Sequence, residues 1–205
     1  MTDRARGTLI WINGPHGSGK THTAANLTRR LSAAHLADPE HVGFGLRRMY
    51  PRTIRPDYRS IDAWTTATSS TLIDILNHTG GTVIAPQTVT DTATLTRLLD
   101  PVRHAEHRVL HVTLMTELGE LRRRLRTRGD IVASYAQRQS ATAIKALAAP
   151  EFASHLDTTN RTVQQVANDI AELAELDLLP DSTNLLTRSI RTTCLRVKAI
   201  RAPWA

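Results

Sequence analysis

A three-layer α/β fold, with helices on both sides of a parallel sheet, is predicted by three observations. A short apolar run, Leu9-Ile10-Trp11-Ile12, passes through a glycine-punctuated turn into a helical pattern. A second such run, Thr82 to Pro86, follows a helix ended by Gly80-Gly81, and a third spans Val109 to Leu114. Short runs that are apolar throughout, alternating with amphipathic helical stretches, suit strands buried on both faces.

The turn after the first run reads Gly14-Pro15-His16-Gly17-Ser18-Gly19-Lys20-Thr21. A glycine, four residues and then Gly-Lys-Thr is the spacing of the phosphate-binding loop (Walker A), and the strand before it and helix after it are the context that motif needs. Its glycines let the loop curl so that successive backbone N–H groups point at phosphate oxygens, and the following helix N-terminus adds a favourable dipole. ATP is the expected nucleotide, against Gly14, His16, Gly17, Ser18, Gly19, Lys20, Thr21 and His22. Lys20 would reach the β- and γ-phosphates, and the Thr21 hydroxyl would bind Mg²⁺. His22 has no partner at ligand spacing and is not expected to be catalytic.

A chain of 205 residues suits one domain and is long enough to bury about 70% of its unfolded surface. The single cysteine, Cys194, excludes an intrachain disulfide. No secretory signal and no bilayer-spanning run is present, which points to the cytoplasm. The formal charge of +7 is concentrated at the end of the chain, where Arg188, Arg191, Arg196, Lys198 and Arg201 face Asp181 alone. With aromatics at 4%, there are too few rings for a base-stacking surface, so nucleic acid is not an expected partner.

Ala24, Leu27, Leu31 and Ala34 recur at helical spacing, giving an amphipathic helix from 19 to about 33. Residues 34 to 37 are too short to define a strand. Asp38-Pro39-Glu40 reads as a helix N-cap with proline at the first helical position. Asp38 is also the candidate general base, because the second strand of a compact P-loop kinase ends beside the phosphate loop.

Val42 to Pro51 mixes aromatic, apolar and cationic side chains and is the expected acceptor pocket, with Phe44, Arg47 and Tyr50 in it; Arg47 and Arg48 cannot both face one way on a helix. Residues 51 to 59 read as a loop. Ser60 is expected to cap a helix carrying Ile61, Trp64, Ala67, Leu72, Ile75 and Leu76, with Trp64 either stacking on the acceptor or anchoring the core. No acid stands at the end of the strand closed by Pro86; Gln87 and Thr88 lie there and could hydrogen-bond the acceptor.

Asp91 opens the next helix, with Leu95, Leu98, Leu99 and Val102 on its apolar face. His104, His107 and His111 straddle a loop and a strand with no completing ligand, which argues against zinc. Thr116 is expected to cap a helix with Leu118, Leu121 and Leu125 buried. Arg124 and Arg128 project from one face of it, placed to stabilise charge on a transferring phosphoryl group. A lid is expected at about 125–140, with Ser134 capping a helix through Ile144 and Leu147. Phe152 to Leu156 is the last expected strand. The loop at 157–160 should receive the adenine before a helix containing Val163, Val166, Ile170 and Leu173. The domain then spans 1–180, and 181–205 form a basic amphipathic tail that either lies on an anionic membrane surface, on the inner face, or docks back on the domain.

With these residues in place, the sequence resembles the tunicamycin-resistance (TmrB-like) family of P-loop proteins over roughly residues 9 to 175. The resemblance rests on Trp11-Ile12-Asn13-Gly14 with Gly17 to Thr21, on Asp38-Pro39-Glu40, on Gly43-Phe44 with Leu46-Arg47 and Met49, and on Leu121 to Arg128. It implies an ATP-binding domain of nucleoside- and shikimate-kinase type, associated with resistance to nucleoside antibiotics that imitate UDP-sugars. The expectation is an ATP- and Mg²⁺-dependent phosphotransferase acting on a hydroxyl of such a drug. An ATP-gated drug-sequestering protein and a kinase of an ordinary nucleotide or metabolite are the alternatives.

Overall fold

The computed structural model describes residues 6–126 and 133–181, by backbone alone at 126 and 133–139. Five strands, β1 (Thr8–Asn13), β2 (Ala34–Leu36), β3 (Thr82–Pro86), β4 (Arg108–Met115) and β5 (His155–Asp157), form one parallel sheet in the order β2-β3-β1-β4-β5. The helices are α1 (Lys20–Arg30), α2 (Pro39–Met49), α3 (Asp62–Thr79), α4 (Thr92–His104), α5 (Leu118–Arg126), α6 (Ala133–Leu147) and α7 (Val163–Ala174).

β1 is apolar throughout because its two faces feed two cores. Leu9 and Trp11 join Val83, Ala85, Trp64, Leu76, Leu98 and Leu147 on the α3, α4 and α6 side. Ile10 and Ile12 join Ala24, Leu27, Val112, Leu114, Val166 and Ile170 on the α1 and α7 side. The period-2 alternation of a strand thus makes the three layers. β1 lies centrally between β3 and β4, so the crevice at the strands' carboxyl ends opens where the phosphate loop leaves β1.

Several expected boundaries move. Helix α1 ends at Arg30, and β2 is a strand of three residues paired to β3. Ser60 is no cap: it closes a 3₁₀ turn, Tyr58–Ser60, stabilised by the Asp57 carboxylate, and α3 starts two residues later. Thr116 caps nothing either; its buried hydroxyl has no hydrogen-bond partner among the described residues. Phe152 belongs to a 3₁₀ turn, Pro150–Phe152, so β5 is shorter and later than expected. Leu173 is 42% exposed, and Ala174 takes the inward place on α7. Asp91 does cap α4, accepting from the Thr94 N–H at 2.7 Å, and Gly80 ends α3 at φ 59.

His104, His107 and His111 do not converge: His107 Nδ1 accepts from the Gly7 N–H and His104 Nδ1 meets the Asp100 carbonyl. No cluster of three or more His, Cys, Asp or Glu side chains that could hold a metal ion occurs among the described residues. No helix among them is long and apolar enough to cross a membrane. Of the expected lid, 127–132 lie outside the described residues and 133–140 begin α6; Arg128, the side chain of Ser134 and the tail from 182 onward also lie outside.

Candidate active site

The phosphate loop is built by Asn13 before it is built by glycine. Buried at the end of β1, Asn13 accepts from the Gly14 N–H and the Val89 N–H at 2.9 Å each and donates to the Val89 carbonyl at 2.8 Å. That pairing locks the strand end to the segment after β3. Gly14, Gly17 and Gly19 then take φ of 145, 89 and 102, values that a Cβ disfavours. Gly14 is doubly required, since a Cβ there would press on the Leu114 carbonyl and the Ser18 hydroxyl at 2.7 Å.

Lys20 Nζ lies over the loop, donating to the carbonyls of Gly14 at 2.8 Å and Pro15 at 3.0 Å. Ser18 is buried and its hydroxyl has no partner among the described residues, while Thr21 is exposed on the first turn of α1, His22 is half-buried and His16 is exposed. A curled loop with an orphaned hydroxyl inside it and a lysine folded over its rim has the chemistry of a phosphate cradle.

Asp38 and Glu40 stand across from the loop at the start of α2. Asp38 is the N-cap, its Oδ1 accepting from the Glu40 N–H at 3.0 Å, with Pro39 supplying the first turn. Burial pushes its carboxyl above the usual range, against the pull of that N–H and the charges of His41 and Lys20. Burial also raises Glu40, and the charge of Asp38 adds to the effect; Lys20, Arg59 and the Tyr58 hydroxyl oppose it. Two carboxyls with raised proton affinity near one lysine mark this crevice as chemically poised.

Behind them lies a brace that sequence reading assigned to a loop. Tyr58 is buried edge-on to both Phe44 and Trp64, with ring centroids 5.4 Å apart in each case. Its hydroxyl reaches Glu40 Oε1 at 3.5 Å and accepts from Gln87 Nε2 at 3.2 Å. Gln87 Oε1 accepts from the Thr88 N–H at 2.7 Å, and the Thr88 hydroxyl donates to the Gly14 carbonyl at 2.8 Å.

Gln87 and Thr88, expected at the acceptor, are therefore turned inward as struts. Trp64 is corrected more firmly: it is fully buried and its Nε1 donates to the Pro39 carbonyl at 3.1 Å, so it anchors α2 to α3 and offers no face to a ligand. Phe44 is half-buried beside Tyr58. Arg47 holds the Pro56 carbonyl through Nε, whereas Arg48 is exposed, so the pair does divide. Tyr50 ends α2, 38% exposed.

On the other side of the loop, Arg124 joins three segments. Its guanidinium donates to Glu120 Oε1 and the Thr158 carbonyl at 2.7 Å each, to the Thr158 hydroxyl at 3.3 Å and to the Ser18 carbonyl at 3.5 Å. Arg123 and Arg124 together hold the Glu120 carboxyl down at about 2. Arg124 thus ties the phosphate loop to the loop after β5. Thr158 and Glu120 had no signal in the sequence because their partners lie 34 or more residues away or share a common helical pattern.

The strand order, the curled loop and α1 define a P-loop protein with the α/β fold of small-molecule kinases. A model of the AAA domain matches residues 9–151. The structure of the Deinococcus radiodurans tunicamycin resistance protein is similar at 31% identity and a TM-score of 0.72, covering 84% of this chain and 99% of that one. The chain belongs to this AAA-domain family and to the family of the tunicamycin resistance protein.

A gluconokinase from Sinorhizobium meliloti 1021 is 17% identical with a TM-score of 0.58, covering 84% of this chain and 95% of that one. The Mycobacterium tuberculosis APS kinase CysC, in complex with AMPPNP and APS, is 20% identical with a TM-score of 0.55, covering 83% and 98%. Those two likenesses concern the fold alone. No curated protein matches the sequence.

Proposed function

We propose that the protein is an ATP-dependent phosphotransferase that phosphorylates a hydroxyl of a tunicamycin-like, uridine-type nucleoside antibiotic and so confers resistance. The observation that carries the reading is the placement of Asp38, a half-buried carboxylate of raised proton affinity, across from the lysine of a phosphate loop. The similarity to a tunicamycin resistance protein supports the acceptor class.

In this reading Lys20 leaves its loop carbonyls for the β- and γ-phosphates, and the backbone of Gly14 to Gly19 holds the phosphate chain. Asp38 accepts the proton of the acceptor hydroxyl as the oxygen attacks the γ-phosphorus and the bond to the β–γ bridging oxygen breaks, leaving ADP. Burial, which raises the proton affinity of Asp38, makes it a stronger base. Arg124, and Arg128 beyond the described residues, supply positive charge to the transferring group. The hydroxyls of Ser18 and Thr21 and the carboxylate of Asp38 are oxygen ligands of the kind that suits Mg²⁺, which keeps its waters and takes nucleotide oxygens; the Thr21 hydroxyl would hold it, with Asp38 joining through water. When bound, Mg²⁺ neutralises charge on the phosphates.

The test is incubation of the protein with ATP, Mg²⁺ and tunicamycin, followed by mass measurement of the drug. The reading predicts a gain of about 80 Da, one phosphoryl group. Tight binding with unchanged drug would favour sequestration instead, and phosphorylation confined to ordinary nucleosides or sugars would favour a metabolite kinase.

A further inference from the structure

Glu40 lies in the crevice yet has no part in the chemistry described so far. Its surroundings are unlike those of a carboxylate that merely decorates a helix. It sits half-buried at the second helical position of α2, and no ion pair forms at it among the described residues. One oxygen meets the Tyr58 hydroxyl at 3.5 Å, while no described donor reaches Oε2. Asp38 is in the same condition, with Oδ1 occupied by the Glu40 N–H and no described donor at Oδ2. Neither second oxygen is among the fully buried unpartnered atoms, so both are open to the crevice, where the O–H donors of a ligand can take the place of water.

The position of Glu40 is also set by the phosphate loop. From its carboxylate, contacts run through the Tyr58 hydroxyl, the Gln87 amide and Thr88 to the Gly14 carbonyl, the same carbonyl that accepts from Lys20. Tyr58 cannot swing freely, being held between Phe44 and Trp64. The chain therefore keeps Glu40 in register with the donor side of the site.

We propose that Glu40 positions the acceptor by taking a second hydroxyl while Asp38 takes the reacting one, so that the site selects a polyhydroxylated, sugar-bearing acceptor over a simple alcohol. A single-hydroxyl acceptor would be served by Asp38 and leave Glu40 unmatched. The inference rests on the phosphotransferase reading and adds to it the feature that the acceptor must carry.

Calorimetric binding of tunicamycin to the AMPPNP-loaded protein, together with steady-state kinetics, tests it. Glu40→Gln is expected to weaken drug binding about 10- to 100-fold, the loss expected of a hydrogen bond to a charged group, and to raise KM for the drug while leaving kcat at saturation and AMPPNP affinity nearly unchanged. Tyr58→Phe, which keeps the carboxylate but releases it from Gln87, should give a smaller loss in the same direction. Unchanged drug affinity in Glu40→Gln overturns the proposal. So does a parallel loss of drug and AMPPNP affinity, the result of a collapsed α2. Wild-type protein that does not bind the drug refutes the substrate reading itself and this inference with it, an outcome distinct from wild-type binding that Glu40→Gln retains.

Discussion

Gly43→Ala probes how α2 is held over the site. Gly43 is buried in α2, and a Cβ built there would lie 2.9 Å from Cε2 of Tyr58 and closer still to Cγ and Cδ2. Carbon atoms rest about 3.5–4.0 Å apart, so the ring must withdraw by well over about 1 Å or α2 must lift. The ring has little room, with Phe44 and Trp64 both 5.4 Å away by centroid. Two effects compete. Alanine in a helix interior is better than glycine by about 1 kcal/mol, whereas overpacking a closed core costs about 1–3 kcal/mol.

The clash includes ring carbons at the point of attachment, not only the tip of a flexible chain, and that places the cost at the upper end. The net is a destabilisation of about 1–2 kcal/mol, or a fall in Tm of about 3–6 °C for a chain of this size. Thermal melts followed by circular dichroism measure it, with tunicamycin affinity taken in parallel. Because Tyr58 carries Glu40, drug affinity should fall with stability. A Tm equal to or above wild type would show that helix propensity wins, and that Tyr58 is not the fixed wedge described here.

Other substitutions follow from the same contacts. Trp64→Phe removes the N–H bond to the Pro39 carbonyl and should lower stability by about 1–2 kcal/mol while leaving KM for the drug unchanged; a selective rise in KM with no change in Tm would return Trp64 to the acceptor site. Arg124→Ala unties the phosphate loop from Thr158 and should weaken ATP binding at least about 10-fold, and Arg124→Lys should not restore it, because a single ammonium cannot span those partners. Full recovery by lysine would show that charge alone matters.

Burial, aided by the charges of Arg103 and His155, lowers His111 from 6.5 to about 4. Between those values the unfolded chain binds the proton and the folded one does not. The stability from keeping His111 neutral is therefore complete above 6.5 and lost as pH falls toward 4, about 3 kcal/mol in all. Urea midpoints at pH 7 and pH 5 should converge in His111→Gln relative to wild type; an equal acid sensitivity in both would refute this.

The phosphate loop and the strands around it were legible because they are local. The loop spacing, the apolar runs that became β1, β3 and β4, and the caps Asp38 and Asp91 are each determined by residues within a few positions of one another. The braced crevice beside Asp38 was not, because it is made by contacts across the fold. Tyr58 lay in a segment rich in proline and arginine that reads as connecting loop, and only folding brings it between Phe44 and Trp64 and under Gln87. Trp64 looked ambiguous because periodicity places it on the apolar face without saying what lies opposite. Gln87 and Thr88 stood at the right strand end, but a sequence cannot show that a polar side chain turns inward to the Gly14 carbonyl. Glu40 was read as part of a motif and given no task, since its meaning depends on what fails to reach its second oxygen.

The central claim is that Asp38 is the base of a phosphoryl transfer as well as the cap of α2. Single-turnover phosphorylation of tunicamycin by wild type and Asp38→Asn, with ATP affinity measured on the same samples, tests it most directly. Asparagine keeps an oxygen for the Glu40 N–H, so the helix start should survive. The account predicts ATP affinity close to wild type and a rate lowered about 10²-fold or more, the scale of a lost general base. A rate equal to wild type would contradict it and leave Asp38 as a cap alone.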